Sequence, residues 1–365
     1  MFTMEFDFSR AMLLFSLAGL TPRMMAKLMT RYPDAVAAAE DLRGASSLLP
    51  ARTAQHLENA LGTLDSTRDA LWKCGTVPLY LGTDEYPSAL AEIDDAPLCL
   101  LVRGEKSALS GRLLGIVGTR APSEKGIKWT EDTAHALSKN GVTVVSGLAR
   151  GIDGAAHRGC IKAGGATVAV MGTGPDIIYP QEHDELAAEI IRSGGCLVTE
   201  YFPGTQPDRT RFPRRNRIIA ALSAATVMVE GQAKSGGMIT MSYCEKYGRT
   251  RFAVPGMVGA FRSEGPHQVI RSGGRLVTCA DDILTDMDWQ AGQLSFFPQE
   301  TASSPVPAAD SVEETLLFLL DGQNKTLDEM IASSGATPED VQTALVMIEL
   351  TGSVARRAGG YYEKL

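Results

Sequence analysis

The chain has few cysteines, and none of them form a recognisable pair. Its six cysteines are spread over 365 residues, and even the closest two, Cys74 and Cys99, are too far apart for a CxxC redox motif or the usual zinc spacing. Most lie in apolar runs, which predicts buried free thiols in a reducing cytoplasm. We therefore expect neither a thiol redox centre nor a zinc site.

Long apolar runs are also missing. The stretch at residues 11–20 is too short to span a bilayer, and it follows Glu5 and Asp7 rather than a basic segment. With 44% hydrophobic and 21% charged residues, the chain can nevertheless bury a substantial core. These features predict a soluble, cytoplasmic protein of two or three domains.

Positive charge is scarce except in one place. The formal net charge is −8, so the surface as a whole is not a basic coat. Residues 205–217 (TQPDRTRFPRRNR) are the exception, with five arginines and a single acid, Asp208. Burying several guanidiniums without partners is very costly, so this segment predicts a phosphate-binding groove in which Phe212 offers a stacking surface. The alternative is a solvated loop whose arginines pair with surface carboxylates.

From residue 112 onward, short apolar runs alternate with helical stretches. The predicted strands are 113–117, 142–145, 167–171, 197–199, 226–229, 251–254 and 275–277. The predicted helices between them include 124–139, 155–163, 182–192, 216–223 and 238–247. This alternation predicts an α/β fold with a doubly wound parallel sheet, whose ligands bind at the carboxyl ends of the strands.

The flanking segments differ from this core. Residues 1–75 read as a small helical domain, and 76–289 as the α/β domain. Residues 290–310, rich in Pro, Ser and Ala, read as a linker, and 311–365 as a winged-helix-like module. The helical domain has no basic excess, which favours a structural or protein-binding role over a helix-hairpin-helix on DNA. The acidic C-terminal module likewise favours a protein contact over DNA reading.

Four glycine-containing turns follow predicted strands and are expected to meet at one edge of the sheet. They contain, in order, Gly118 and Arg120; Ser146, Gly147 and Gly151; Gly172 and Gly174; and Lys234, Ser235 and Gly236. Such turns let a phosphate approach backbone N–H groups. The third lacks the last glycine of a dinucleotide fingerprint and the fourth is not a Walker A loop, so neither NAD binding nor ATP hydrolysis is expected.

Two side chains near the second turn have ordinary structural explanations. Asp153 is expected to cap a helix beginning near Gly154, and His157 to be a packing or hydrogen-bonding histidine. The sequence offers no convincing nucleophile, paired carboxylate or metal cluster. We therefore expect no catalytic residue, metal or cofactor.

Several motifs together resemble the DNA-processing protein A (DprA, also Smf) family. They are GTR at 118–120, SGLARGIDGAAH at 146–157, GTGPDIIYP at 172–180, FPRRNRIIAALS at 212–223, SGGMIT at 235–240 and FAVPG at 252–256. The likeness covers about residues 86–282, and the flanking segments fit the family's layout of a SAM-like domain, an extended Rossmann-like domain and a winged helix. His183 and His267 depart from the family pattern, which often has asparagine at both positions.

The resemblance implies a non-catalytic protein that binds single-stranded DNA, dimerises through the Rossmann-like domain, and loads the RecA recombinase onto incoming strands during natural transformation. The expected DNA-binding residues are Gly118, Arg120, Ser146, Gly147, Gly151, Gly172, Gly174, Arg211, Phe212, Arg214, Arg215, Asn216, Arg217, Lys234, Ser235 and Gly236.

Two other functions fit parts of the sequence. The region from SGGMIT to YCE is similar to the GGxGTxxE loop of nucleoside-phosphate ribohydrolases, although Thr240 and Glu245 are five positions apart rather than three. A scaffold that recruits partners through its terminal domains and binds a nucleotide only for stability is the third hypothesis.

Overall fold

A computed structural model describes residues 6–289, 312–320, 325–351, 353–356 and 361–364. The chain forms two compact units, Met1–Gly292 and Gln293–Leu365. The linker expected at 290–310 lies outside the described residues.

The first unit begins with five helices. They are α1 (Phe8–Leu17), α2 (Pro22–Met29), α3 (Ala35–Glu40), α4 (Leu42–Ser47) and α5 (Ala51–Lys73). The first four of these helices begin with a side-chain cap. The Thr21 hydroxyl accepts from the N–H of Met24, and Pro22 occupies the first helical position.

These helices share their core with the neighbouring sheet. Leu14, Phe15 and Leu57 are buried in one cluster with Tyr80 and Leu101 from two strands. The helical segment is thus packed against the α/β segment within one compact unit, and a domain boundary at residue 75 stays a prediction.

A nine-stranded sheet forms the centre of the first unit. Its strands are β1 (Thr76–Tyr80), β2 (Cys99–Gly104), β3 (Arg112–Val117), β4 (Val142–Ser146), β5 (Thr167–Val170), β6 (Cys196–Thr199), β7 (Ala225–Met228), β8 (Thr250–Ala253) and β9 (Arg275–Leu276). Their order is β1-β2-β6-β5-β4-β3-β7-β8-β9. From β6 to β9 every pairing is parallel, which confirms the predicted doubly wound sheet. The β1–β2 and β2–β6 pairings are antiparallel, an extension at one edge that the expectation of a parallel sheet did not include.

The order of the strands creates a switch point beside β3. The chain runs from β3 outward to β6, then returns to place β7 on the other side of β3. The loops after β3 and β7 therefore diverge to opposite faces, and the crevice between them is where ligands bind in such sheets.

The helices of the α/β segment are α6 (Ser88–Ala91), α7 (Glu124–Lys139), α8 (Ile152–Lys162), α9 (Asp184–Arg192), α10 (Arg211–Leu222), α11 (Gly236–Lys246), α12 (Glu264–Arg271) and α13 (Ala280–Asp286). All five predicted helices are confirmed, but α10 begins five residues before the predicted start at Asn216. Pro213 lies in its first turn, where a proline is tolerated because that N–H has no helical partner. Four of the five arginines of the basic segment are therefore helical.

The second unit contains α14 (Val312–Leu319), α15 (Leu327–Ser334) and α16 (Pro338–Leu350), with strands β10 (Lys325–Thr326), β11 (Val354–Arg356) and β12 (Tyr361–Lys364). The strands form an antiparallel sheet of order β10-β12-β11. Leu316, Met330, Val341 and Leu345 are buried together in its core. Three helices and a strand pair match the predicted winged helix, while the turn expected at residues 359–360 lies outside the described part of the chain.

The cysteines are all free thiols, and Cys99, Cys160, Cys196 and Cys244 are buried as expected, whereas Cys279 is exposed. Burial raises the pKa of Cys160 and of Cys196 to about 12. Within the described ranges, no helix combines the length and apolar character needed to cross a bilayer.

Candidate nucleic-acid interface

A cavity of about 650 Å³ opens at the switch point, at the carboxyl ends of β3 and β7. We call it the front cavity. Its lining residues are Val117, Gly118, Thr119, Arg120, Ala149, Asp153, Tyr179, Arg209, Phe212, Pro213, Arg215, Asn216, Ile219, Ser235, Gly236, Gly237, Ile239 and Thr240. A small extension beside it adds Gly147, Arg150 and Pro180.

The amino end of α11 forms one side of the front cavity. Ser235 precedes the helix in an extended conformation, yet its hydroxyl does not cap the helix. The Ser235 Oγ atom is buried and has no hydrogen-bond partner among the described residues. Free N–H groups at a helix start and an unused hydroxyl suit a phosphate oxygen.

Glycine at position 237 lets this helix approach the strands closely. A Cβ atom there would lie 2.7 Å from the sulfur of Met228 and 3.5 Å from the Cα of Gly118. The contact with Gly118 is an ordinary one, whereas the Met228 side chain would have to move, so Gly237 lets α11 pack closely on that side chain of β7.

An aromatic surface with a cation above it forms the other side. The rings of Tyr179 and Phe212 lie 5.4 Å apart with a 34° tilt, and Tyr179 is 44% exposed. The guanidinium carbon of Arg120 lies 5.7 Å from the centre of the Phe212 ring. Gly172 makes room for that ring, since a Cβ at this position would be 2.8 Å from it. Exposed rings beside a cation can hold a base and its phosphate.

Arg215 forms the floor of the front cavity and ties three loops together. It is only 4% exposed, and its Nη1 donates to the carbonyl oxygens of Gly147, at 2.7 Å, and of Val170. Its Nε donates to Asn216 Oδ1 at 3.1 Å, and the Asn216 amide donates to the carbonyl of Gly236 at 3.1 Å. Burial lowers the pKa of Arg215 to about 10, so the group stays cationic at neutral pH.

The buried Asp153 lies close to this guanidinium. Burial raises the pKa of Asp153, while Arg215 and the N–H of Ala149 act in the opposite direction. A Cβ at Gly147 would lie 2.6 Å from Arg215 Nη2 and 2.7 Å from Asp153 Oδ2. Gly147 therefore has two roles: its lack of a side chain leaves room for Arg215 and Asp153, and its carbonyl oxygen accepts from Arg215.

The expected capping role of Asp153 is wrong. Helix α8 begins at Ile152, directly after Gly151, whose φ of 75° turns the chain into the helix without a side-chain cap. Asp153 lies inside the first turn and accepts instead from the N–H of Ala149 at 3.4 Å. A glycine with a positive φ can lead the chain into a helix without a side-chain cap, so Asp153 is not needed as a cap.

His157 is a buried, hydrogen-bonded histidine, as expected. The Nδ1 atom of His157 lies 2.8 Å from Thr167 Oγ1, whose own hydrogen goes to the carbonyl of Val144. His157 Nδ1 therefore donates, and the other ring nitrogen is buried without a partner among the described residues. Burial lowers the pKa of His157 to about 3, which keeps the ring neutral.

The structure brings some of the predicted DNA-binding residues together and separates others. Gly118, Arg120, Phe212, Arg215, Asn216, Ser235 and Gly236 line the front cavity, and Gly147 lines its extension. The remaining predicted residues, Ser146, Gly151, Gly172, Gly174, Arg211, Arg214, Arg217 and Lys234, lie outside both linings. Gly172 still contributes through Phe212, and Ser146 is buried with its hydroxyl donating to the carbonyl of Ile116.

The arginines divide because they lie on a helix. Arg217 is 2% exposed and pairs with Glu200 at 2.7 Å and with Asp95 at 3.4 Å. Arg214 lies on the same side, 3.7 Å from Glu200. The helix predicted at 216–223 included Arg217 alone, so the other four arginines had no predicted helical period that could separate them.

Tyr179 and Arg209 line the front cavity but were not among the predicted residues. Tyr179 belongs to the motif GTGPDIIYP and Arg209 to the basic segment expected to form a groove, so both were visible in the sequence, whereas the exposure of Tyr179 was not.

The carboxylate of the ribohydrolase hypothesis lies elsewhere. Glu245 is near the end of α11, 62% exposed and paired with Arg251 at 3.1 Å, whereas Thr240 lines the front cavity. In the described residues, no cluster of three or more His, Cys, Asp or Glu side chains could hold a metal ion.

The charge of the front cavity is positive. Arg120, Arg209 and Arg215 face one lining acid, Asp153, and neither Arg120 nor Arg209 has a carboxylate at ion-pair distance within the described ranges. Unpaired guanidiniums, helix N–H groups and an exposed tyrosine ring in one crevice suit a flexible polyanion that carries bases.

Comparisons with known proteins agree with this chemistry. Residues 78–288 match the family model described as DNA recombination-mediator protein A, and residues 300–360 match the DprA winged helix domain. Protein Smf of Escherichia coli is 38% identical over 277 residues, which cover 76% of this chain and 74% of that protein. DNA processing protein DprA of Streptococcus pneumoniae is 40% identical over 206 residues, covering 56% and 72% respectively.

Solved structures give the same result. The structure of DNA processing protein A from Streptococcus pneumoniae superposes with a TM-score of 0.67 and 31% identity, covering 78% of this chain and 99% of that one. DNA processing protein A from Helicobacter pylori, described for its single-stranded DNA binding mode, superposes with a TM-score of 0.53 and 26% identity. The match covers 58% of this chain and 95% of that one. The chain belongs to the DNA recombination-mediator protein A (DprA/Smf) family, with a role in DNA processing for recombination.

Proposed function

We propose that this protein binds single-stranded DNA in the front cavity. The main support is that one cavity contains Arg120, the uncapped start of α11 at Ser235, and the Tyr179–Phe212 pair. A phosphate lies against Arg120 and the α11 N–H groups, while a base stacks on the exposed Tyr179 ring beside the half-buried Phe212. The single-stranded DNA binding described for the Helicobacter pylori relative supports this assignment.

The experiment is a fluorescence-anisotropy titration with labelled oligothymidylate, competed by thymidine monophosphate and by duplex DNA. We expect the oligomer to compete far better than the mononucleotide, because several phosphates and bases contribute together. Equal competition by the mononucleotide would support the scaffold hypothesis instead.

The proposed role is non-catalytic. Glu245, the carboxylate that a ribohydrolase mechanism requires, does not line the front cavity. We expect no release of free base from nucleoside monophosphates, measured by chromatography. Turnover that disappears in a Glu245→Gln variant would contradict the proposal.

We further propose that the bound strand is delivered to the RecA recombinase, as family membership suggests. Filament assembly on strands pre-bound by single-strand-binding protein, followed by fluorescence, should accelerate when this protein is added. An unchanged assembly rate would limit its role to binding and protection of the strand during transformation and recombination.

Dimerisation through the Rossmann-like domain is also proposed. Strand β9 ends the sheet and pairs with β8 on one side, and its Leu276 is 50% exposed. An apolar residue on an open strand edge favours pairing with a second copy. Light scattering should give a dimer mass, and Leu276→Glu should shift it toward the monomer; a monomer for the unaltered protein would refute this.

A further inference from the structure

A second cavity lies on the other side of helix α10. It has a volume of about 370 Å³, and Arg211, Arg214 and Arg217 line it together with Glu200 and Tyr201. We call it the rear cavity. The turn between α1 and α2 closes its far side through residues 19–22.

The spacing of the arginines explains the division. Positions 211, 214 and 217 recur every three residues, so they follow one side of a helix, whereas Phe212 and Asn216, four apart, follow another. Phe212 and Asn216 line the front cavity, and the three arginines line the rear cavity. Helix α10 is thus the wall between two cavities that both carry guanidiniums.

The rear cavity has the groups that a nucleotide requires. Arg214 is 64% exposed and its nearest carboxylate is 3.7 Å away, so it retains donors for a phosphate. The guanidinium of Arg211 lies 5.6 Å from the centre of the half-buried Tyr201 ring, which pairs a cation with an aromatic surface as in the front cavity.

The floor of the rear cavity carries unused hydrogen-bonding capacity. Arg217 Nη1 and Glu200 Oε1 are both buried and have no partner among the described residues, although the two side chains are 2% and 8% exposed. Leaving a donor and an acceptor of a buried ion pair without partners is costly, so each of these atoms requires an explanation, and a bound ligand is one.

We propose that a single DNA strand straddles α10, with one nucleotide in the front cavity and another in the rear cavity. Arg209 in the front cavity and Arg214 in the rear cavity are both exposed, which gives the connecting backbone cations on either side of the helix. The proposal rests on single-strand binding in the front cavity. The chemistry recognised is a phosphate with an attached base, which a free nucleotide could also supply, and the experiment separates these sources.

The test is photo-crosslinking of the full-length protein to oligothymidylate that contains 4-thiothymidine, followed by trypsin digestion and mass spectrometry. The rings of the two cavities lie in different peptides, Tyr179 in 163–192 and Tyr201 in 193–209. Because Arg209 of the front cavity ends the second peptide, fragment ions must place the adduct of that peptide on Tyr201. We expect adducts on both. Arg214→Glu should reduce the adduct on peptide 193–209 at least about fivefold and leave that on 163–192 unchanged.

Arg68→Glu is the matched control, since Arg68 is 58% exposed, also contacts one carboxylate, and lines neither cavity. It should leave both adducts unchanged. Thermal melting of both variants checks that they fold, and Arg214→Ala offers a milder change whose salt slope should fall by about 0.7.

Each other result is decisive. An adduct on 163–192 alone overturns the straddling strand and leaves the front cavity as the binding site. No adduct on either peptide overturns single-strand binding itself. Labelling of 193–209 by 4-thiothymidine monophosphate but not by the oligomer assigns the rear cavity to a free nucleotide and also overturns the proposal.

Discussion

Replacing Arg120 by alanine tests the electrostatic core of the proposed function. Arg120 is exposed, has no carboxylate at ion-pair distance in the described ranges, and stacks on Phe212, so its removal takes away a phosphate partner without leaving a buried group unpaired. The fold should tolerate the change.

The magnitude follows from the lining of the front cavity. Three guanidiniums, of Arg120, Arg209 and Arg215, face the cavity. A single strand releases about 0.7 counterions per neutralised phosphate, so three contacts give a slope of log K against log salt of about −2. Losing one contact should reduce the slope to about −1.4, and a charge-assisted hydrogen bond of about 1.5 kcal/mol corresponds to an affinity loss of about tenfold.

The assay is the anisotropy titration repeated between about 50 and about 200 mM salt. Over this range the ratio of the DNA affinities of the unaltered protein and the variant should fall by about two- to threefold, because the affinity of the variant depends less on salt. Arg43→Ala is the control, since Arg43 is also exposed and lines neither cavity. Equal affinities and parallel slopes for Arg120→Ala and the unaltered protein would refute the phosphate role of this residue.

Three further outcomes are expected. Arg215→Ala should lower the free energy of unfolding in urea by about 3–5 kcal/mol, because it removes a buried cation from two carbonyls, and a loss below about 1 kcal/mol would contradict that role. Gly172→Ala should displace the Phe212 ring and weaken oligothymidylate binding by about 1–3 kcal/mol, while Gly62→Ala, whose Cβ meets open space, should leave affinity unchanged; equal binding by both variants would show that the ring does not stack. The pKa of His157 is about 3 in the folded protein, below its unfolded value of about 6.5. The stability that comes from burying the neutral ring is therefore complete above pH 6.5 and is lost as the pH falls. Stability should fall by about 2 kcal/mol between pH 7 and pH 5 from this residue alone, visible as the difference between the urea curves of the unaltered protein and of His157→Gln, and parallel pH profiles would contradict it.

The sequence predicted the sheet and its crossover helices well because the signals there are local. Buried strands such as β4 are short continuous apolar runs, and amphipathic stretches such as α7 carry a clear helical period. The antiparallel strand β2 could not be oriented in the same way, since an apolar run does not reveal the direction of its partner.

The basic segment shows where such reasoning stops. The predicted helix began at residue 216, so only Arg217 was expected on a helix, and the order of the other four arginines gave no reason to separate them. Once α10 is known to begin at Arg211, the three-residue spacing divides the cations between two cavities. The tolerance of Pro213 in the first turn depends on backbone groups that only the folded chain defines.

The wall between the two cavities also has a mechanical consequence. An α-helix is about 10 Å across, so any polymer that occupies both sides of α10 must curve sharply over a distance of that order. Double-stranded DNA resists bending over a persistence length of about 150 base pairs, whereas a lone strand has freely rotating bonds. A ridge of this width would therefore sort nucleic acids by stiffness, whatever their base sequence.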